Sequence, residues 1–448
     1  MAKRTLGLGK AAKQRKKQKS EDTALTKTDN SKDKTPSEES TPVPKGNEIH
    51  VELDDEVDQD DELVQLRGLW DTFVTTGREN EMVLNGVIHE SDRLLRNLED
   101  GAKLPAEFHA LYALALAELA VFHTEVEGEG EGKGVKDYFD AALERADLGL
   151  EQYPDSIQLG FAKARIILSR IPLEYISQWD LETKKDDKTP DISKLLDEAL
   201  KLYEDAEESV KLLKNYTLLD TDVFETFKSL DDLLDIIQNF GKEDIHAEGI
   251  DSDEEELEDE QEIKLSKKHP LYKVQKSDKY LEWLFKHGSD FGDFITIEYK
   301  DLLNKKVEDL TTREKKSLVF FKQVSAKIGQ ILLQAAQKPS QIFTSITYDS
   351  DVEDDAEIDG YNASSAQKEA IEYTKRAVEF FKRAEDEEDP QTWVAVAEAV
   401  IDLGNLYDYE SKEQEDAYAV AEKRLKRANN ATNGKYQKIL DNLLEKDE

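Results

Sequence analysis

The chain has 448 residues, with 61 Lys and Arg against 100 Asp and Glu, and a formal net charge of −39. It contains no cysteine, which excludes disulfide bonds and thiolate metal ligands. A surface this acidic repels nucleic-acid phosphates, so we expect no direct nucleic-acid binding. Basic protein partners are compatible with the charge, but acidic composition is also common in ordinary soluble proteins.

Residues 1–62 have the composition of a disordered tail, rich in Lys, Ser, Thr, Asp and Pro and ending in an acidic run from Glu52 to Glu62. The first nineteen residues carry eight basic side chains and no acidic one. A basic cluster in such sequence is typical of a nuclear import signal read by an import receptor. A non-specific RNA-contacting tail and a merely solvated lysine-rich end are the alternatives. No apolar segment follows, so we expect no secretory signal peptide. The predicted import signal consists of Lys13, Arg15, Lys16, Lys17 and Lys19.

Apolar residues from Leu63 onward recur at spacings of three and four, which predicts helices and an all-α protein. The longest apolar stretch, Ala110–Phe122, contains Glu118 and is too short to span a bilayer, so no membrane association is expected. The run Phe294–Tyr299 could be a strand, but a lone strand has no partner, so a helix start or an extended linker is preferred. The first predicted helix begins at Leu63, and the others cover 79–98, 105–124, 135–152, 157–170, 192–216, 222–239, 272–287, 291–303, 311–337, 365–386, 391–409, 414–428 and 433–445.

Blocks of like charge interrupt the helical pattern and predict disordered loops, because such blocks repel themselves. Residues 241–262 contain ten consecutive residues, Asp251–Glu260, of which eight are acidic. Residues 349–362 form a second acidic loop. We therefore predict an N-terminal helical-repeat half at 63–240, an acidic disordered linker at 241–262, and a C-terminal helical-repeat half at 263–448.

One segment, Ala397–Tyr407, matches the first helix of a tetratricopeptide repeat, with Val400 in the tryptophan position. Gly404 would let the paired helix approach closely. A weaker copy lies at Ala142–Pro154. These matches favour irregular tetratricopeptide-like hairpins stacked into a curved superhelix. The alternative is two chance matches in an ordinary helical domain.

Catalytic patterns are missing from the sequence. The seven histidines are scattered and form no H-E-x-x-H motif, and neither glycine-rich segment has the G-x-x-x-x-G-K-[ST] spacing of a phosphate-binding loop. With 100 carboxylates, paired acidic residues carry no information about acid–base catalysis. The sequence therefore predicts a protein that is not an enzyme, with no catalytic, cofactor-binding or metal-binding residue.

Two serines stand in sequence contexts that acidophilic kinases phosphorylate. Ser252 is followed by Asp-Glu-Glu, and Ser350 by Asp-Val-Glu. A phosphate would add negative charge to an acidic loop and strengthen contact with a basic partner. The alternative is a pair of simple solvated acidic loops.

The opening Met1–Lys10, M-A-K-R-T-L-G-L-G-K, followed by further basic residues, resembles the start of the fungal enhancer of translation termination family. That family includes the fission-yeast negative regulator of a prolyl-hydroxylase-type oxygenase. The resemblance implies a nuclear, non-enzymatic helical adaptor that binds an iron- and 2-oxoglutarate-dependent oxygenase. It further implies roles in translation termination and in hypoxic gene expression. No family motif maps onto partner-binding residues here, and only the basic tail carries over.

The expected function is thus a nuclear adaptor that acts by binding a protein partner. The alternative among binding proteins is an acidic chaperone for basic proteins such as histones or ribosomal proteins. Salt-sensitive binding of free basic proteins, without an oxygenase, would distinguish the chaperone. An enzyme is the rival from another class, and a bound metal or nucleotide in the purified protein would support it.

Overall fold

The computed structural model describes residues 63–99, 101–124, 134–242, 265–349 and 356–444. In these ranges the chain forms fifteen α-helices and no strand beyond two isolated bridges. The predicted all-α class is confirmed. The predicted tail at 1–62 and most of the predicted acidic linker lie outside the described residues. Among the helices described, none combines the length and apolar character needed to cross a bilayer.

The helices are numbered in chain order. The first seven are α1 Val64–Thr75, α2 Glu81–Asn97, α3 Ala106–Phe122, α4 Val135–Gln152, α5 Ile157–Arg170, α6 Ile192–Leu213 and α7 Thr221–Gln238. The other eight are α8 Tyr272–Gln275, α9 Lys279–Glu298, α10 Lys300–Leu303, α11 Thr312–Tyr348, α12 Ala363–Ala384, α13 Pro390–Asn405, α14 Lys412–Ala431 and α15 Gln437–Leu444.

The chain divides into two compact units. Unit 1 takes the described residues of Met1–Glu207 and Lys228–Gln275, and unit 2 takes those of Glu208–Phe227 and Lys276–Glu448. The sequence predicts two halves that are each continuous, and that division stays a prediction. The amino-acid composition predicts a charged break in the chain. It does not predict which helices the segments before that break pack against.

Helix α3 forms the centre of the core of unit 1. It is apolar on nearly every side, as expected for a helix that neighbouring helices cover on several faces. Phe108, Ala113, Ala115 and Ala120 on this helix are fully buried. The small alanine side chains allow α2, α4 and α5 to approach the same helix closely.

The break that the sequence predicts between 287 and 291 does not occur. Residues Lys279–Glu298 form one helix, α9, and the chain turns before Lys279 and at Tyr299 instead. Both Gly288 and Gly292 lie inside α9; Gly288 faces α11, and Gly292 faces Phe380 of α12 and Ile328 of α11. The run Phe294–Tyr299 belongs mainly to this helix, so the strand alternative is wrong.

Helix α11 continues eleven residues beyond its predicted end, through Pro339. Proline removes one backbone hydrogen bond from a helix interior, at a typical cost of about 3 kcal/mol. Beyond it, Ile342, Phe343 and Ile346 are buried in a small apolar cluster with residues of α12. Their burial offsets the proline, at roughly 1.5–3 kcal/mol for each large side chain.

The hairpin α13–α14 contains the segment with the repeat signature. Gly404 is buried, and a Cβ atom there would lie 2.6 Å from Cε1 of Tyr418 on α14. The close approach expected at Gly404 is therefore present. Tyr407 is half-buried, and the ammonium group of Lys375 on α12 lies 5.5 Å from its ring centre. The assignment to tetratricopeptide-like repeats stays a prediction.

A candidate partner-binding groove

Helices α9, α11 and α12 of unit 2 approach closely where two glycines face two phenylalanines. A Cβ atom on Gly292 of α9 would lie 2.6 Å from Cε1 of Phe380, and one on Gly329 of α11 would lie 3.0 Å from Cδ1 of Phe381. Both rings are buried. These contacts hold three helices together at one end and leave a gap between α9 and α12 further along.

That gap is a cavity of about 560 Å³, which we call the α9–α12 groove. Its volume lies within the usual range of ligand-binding clefts. Leu332 of α11 forms its floor. One wall is a face of α9 with Glu282, Phe285, Lys286, Ser289 and Asp290. The opposite wall is a face of α12 with Ser365, Lys368, Glu369, Glu372, Tyr373 and Arg376.

An ion pair next to Gly292 links α9 to α12. Nη2 of Arg376 donates to Oδ2 of Asp293 at 2.9 Å. Arg383 forms a longer ion pair with the same carboxylate, with its Nη1 3.8 Å from Oδ1 of Asp293. The same Nη1 donates a hydrogen bond to Thr296 Oγ1 at 3.1 Å. The guanidinium of Arg376 is therefore already engaged by Asp293.

Four carboxylates and three cationic groups line the groove. Besides Arg376, the carboxylate of Asp290 is also paired, with Nζ of Lys211 3.4 Å away. Glu282, Glu369 and Glu372 remain, against two lysines, so the open part of the groove has an excess of negative charge.

The pKa of Tyr373 indicates that negative charge predominates around its ring in the groove. Burial raises the pKa of its hydroxyl, and the nearby carboxylates of Glu369, Glu372 and Glu282 raise it further. Arg376 acts in the opposite direction. Carboxylates thus outnumber cations around this ring.

Ser289 has a buried hydroxyl group without a protein partner. Its side chain is 4 % exposed and lines the groove, and its Oγ has no hydrogen bond. A buried polar group left unpaired costs about 1–3 kcal/mol. This hydroxyl therefore has hydrogen-bonding capacity that no protein group uses.

Two histidines of unit 1, His109 and His269, are buried, and their contacts indicate a structural role. His109 packs against Phe108, and burial, assisted by the charge of Arg145, lowers its pKa to about 4. Nδ1 of His269 accepts a hydrogen bond from the backbone N–H of Leu271 at 3.2 Å, so its Nε2–H donates to the carbonyl of Asp180 at 3.0 Å. Burial lowers the pKa of His269 as well. Both rings are therefore neutral near pH 7.

Comparison with known proteins assigns the chain to a family. The family described as "Nuclear pore complex subunit Nro1" matches residues 1–444. This chain belongs to the Nro1 family. The match confirms the predicted nuclear location at the level of the family.

Relatives within the family resemble the chain over nearly its whole length. "Enhancer of translation termination 1" of Debaryomyces hansenii is 46% identical, and the alignment covers 98% of this chain and 99% of the relative. The protein of the same name from Scheffersomyces stipitis is also 46% identical, with 99% of this chain and 100% of the relative covered. The resemblance to the enhancer of translation termination family is therefore confirmed.

Solved structures of Nro1 from S. pombe share the fold. One, described as a nuclear import adaptor, superposes with a TM-score of 0.51 at 16% identity and covers 85% of this chain and 99% of its own. Another, described as the hypoxic regulator of sterol synthesis and a nuclear import adaptor, has a TM-score of 0.51 at 18% identity, with coverage of 84% and 90%. At this identity the likeness concerns the fold alone.

The sequence-predicted site residues are separate from the groove. Lys13, Arg15, Lys16, Lys17 and Lys19, and also Ser252 and Ser350, lie outside the described residues. None of the residues lining the groove was singled out from the sequence. The available signal was the recurrence of charged and aromatic residues at spacings of three and four on both helices. Such a pattern equally describes a solvated helix face, and only the packing of α9 against α12 distinguishes the two.

Proposed function

We propose that this chain is a non-enzymatic nuclear adaptor needed for correct translation termination. Its partner would be an iron- and 2-oxoglutarate-dependent oxygenase of the prolyl-hydroxylase type, through which it would also regulate hypoxic gene expression. The observation that carries the proposal is the 46% identity, over 98% of the chain, to a protein named as an enhancer of translation termination. The description of S. pombe Nro1 as a hypoxic regulator and an import adaptor supports the second role.

The geometry of unit 2 supports an adaptor. The α9–α12 groove is bounded by helices and lined by side chains of both charges, two aromatic rings and a hydroxyl group without a protein partner. Grooves between helices commonly accept a segment of another protein. In the N-terminal tail, the basic cluster would supply the contact with a nuclear import receptor.

Recovery of the partner from cells tests the proposal. The full chain, tagged at its own locus, would be purified from nuclei and its partners identified by mass spectrometry. We expect a 2-oxoglutarate-dependent oxygenase among the enriched proteins. Loss of the chain should raise readthrough of a stop-codon reporter. Recovery without any such oxygenase, or unchanged readthrough, would contradict the corresponding half of the proposal.

A second candidate function is that of an acidic chaperone for histones or ribosomal proteins, favoured by the net charge of −39. Electrostatic binding of this kind weakens steeply with salt. The purified chain would be titrated with free histones and ribosomal proteins at rising ionic strength. Tight, salt-sensitive binding together with an absence of oxygenase from the nuclear purification would establish the chaperone instead.

A further inference from the structure

We propose that the α9–α12 groove binds a lysine or arginine side chain presented by the partner protein. The cation would enter between Phe285 and Tyr373, with Glu282 and Glu372 as counter-charges and the hydroxyl of Ser289 as a hydrogen-bond acceptor. The proposal deepens the proposed function, on which it rests for the assumption that the ligand belongs to a protein.

The first argument is charge. Asp290 and Arg376 are already engaged by Lys211 and Asp293, on either side of the groove. The carboxylates that remain exceed the lysines by one and surround the ring of Tyr373. These carboxylates repel one another, and a cation that enters the groove would reduce this repulsion.

The second argument is the placement of the aromatic rings. Phe285 lies on the α9 wall and Tyr373 on the α12 wall, and both rings are half-buried. A cation near an aromatic face gains roughly 0.5–2 kcal/mol, more as the site excludes water. The long alkyl part of a lysine or arginine would also pack against these two rings.

The third argument is the unpaired hydroxyl of Ser289, which is independent of the charge count. Its Oγ is buried and lines the groove without a partner. An ammonium or guanidinium group has only donors, so it matches an acceptor oxygen without competition. A bound cation would therefore satisfy a polar atom that the free protein leaves unpaired.

Peptide titration with the full chain tests the proposal. The probe is the dye-labelled pentapeptide Gly-Arg-Ser-Arg-Gly, measured by fluorescence anisotropy beside Gly-Glu-Ser-Glu-Gly. The double variant Glu282→Gln with Glu372→Gln should weaken the arginine peptide about tenfold, because each carboxylate contributes a charge-assisted contact. The matched control, Glu144→Gln with Glu379→Gln, removes the same charge from exposed helix faces outside the groove. It should leave the affinity within about twofold of the parent chain.

Ser289→Ala separates a binding role from a structural one. Removing an unpaired buried hydroxyl should leave the melting temperature of the free chain unchanged or raise it. The same change should weaken the arginine peptide about threefold or more. A fall in melting temperature with unchanged peptide affinity would overturn the role of Ser289.

Two outcomes would overturn the groove proposal as a whole. In one, the groove and control variants bind the arginine peptide equally well, so binding comes from diffuse acidic charge elsewhere. In the other, the glutamate peptide binds more tightly, so the lysines of the groove select an anion. Either result leaves recovery of an oxygenase unaffected, and a purification without oxygenase leaves the peptide result unaffected. The two proposals can therefore fail separately.

Discussion

Gly149 of α4 lies so close to His109 of α3 that a Cβ atom on it would stand 2.8 Å from the Cβ of His109. Leu159 of α5 lies 2.9 Å from the same position. The Cβ of His109 is fixed to the backbone of a buried helix and cannot swing away. Gly149 therefore sets the distance at which three helices of unit 1 meet.

Replacing this glycine tests that relationship. Gly149→Ala should destabilise the chain by about 1–3 kcal/mol, the usual cost of overpacking a core. Gly288→Ala is the control, because the nearest atom to its Cβ would be 3.5 Å away. The control should be neutral or more stable by about 0.5–1 kcal/mol, since alanine favours a helix. Urea denaturation measures both, and equal stabilities would contradict the packing described.

His109 should make stability depend on pH. Its pKa is about 4 in the folded chain and near 6.5 in the unfolded chain. The unfolded state therefore binds the extra proton first as pH falls. The stabilisation is complete above pH 6.5, is lost progressively down to about pH 4, and amounts to roughly 3 kcal/mol.

His109→Leu measures this contribution. The free energy of unfolding of the parent chain should fall more steeply between pH 6.5 and 4 than that of the variant. The control His89→Gln removes an exposed ring and should keep the parent slope. Parallel curves for the parent and His109→Leu would show that this ring does not titrate differently on folding.

Glu118 on α3 should be far more important to stability than Glu107 on the same helix. Oε1 of Glu118 accepts from Nη1 of Arg78 at 2.8 Å and also pairs with Arg165, and all three side chains are at most 15% exposed. Glu118→Gln removes the carboxylate that Arg78 and Arg165 share in a site largely shielded from water, and we expect a loss of about 3–5 kcal/mol. Glu107 pairs with Arg67 near the surface, where the side chains are 29% and 40% exposed.

Glu107→Gln is therefore the matched control and should cost less than about 1 kcal/mol. Thermal and urea denaturation of the two variants give the comparison. If both cost the same, the burial of Glu118 does not determine the energy of its ion pairs.

The basic cluster of the tail should control location without affecting the fold. Alanine at Lys13, Arg15, Lys16, Lys17 and Lys19 should shift a fluorescently tagged chain to the cytoplasm, because the proposed contact with an import receptor depends on this cluster. The melting temperature should not change. Alanine at Lys27, Lys32, Lys34 and Lys45, the dispersed lysines of the same tail, should leave the chain nuclear. A cluster variant that remains nuclear would contradict the assignment.

The two acidic segments around Ser252 and Ser350 should carry phosphate in cells. We expect mass spectrometry of the native chain to find Ser252 and Ser350 phosphorylated, because both precede acidic residues. Ser252→Ala with Ser350→Ala should weaken binding of a basic partner, and the effect should be larger at low salt. Finding both serines unmodified in cells would rule the idea out.

Some boundaries followed directly from the sequence. The predicted ranges 135–152 and 157–170 coincide with α4 and α5, where apolar spacing, a capping serine and Pro154 all agree. Elsewhere tertiary packing overrode local preference. The glycines of α9 stay helical because they pack closely against α11 and α12. Pro339 stays inside α11 because the residues after it are buried against α12.

Taken alone, the sequence determined the all-α class, the family and the location, because these depend on periodicity, composition and a short terminal motif. Only the tertiary structure brought Glu282, Ser289 and Tyr373 to one groove, since they lie on two helices separated by α11. In the sequence, each charged helix face resembles a solvent-exposed surface. It becomes the wall of a groove only when a second helix packs opposite it. The helices are packed together by long-range contacts between glycines and phenylalanines. No local sequence pattern predicts which glycine contacts which phenylalanine.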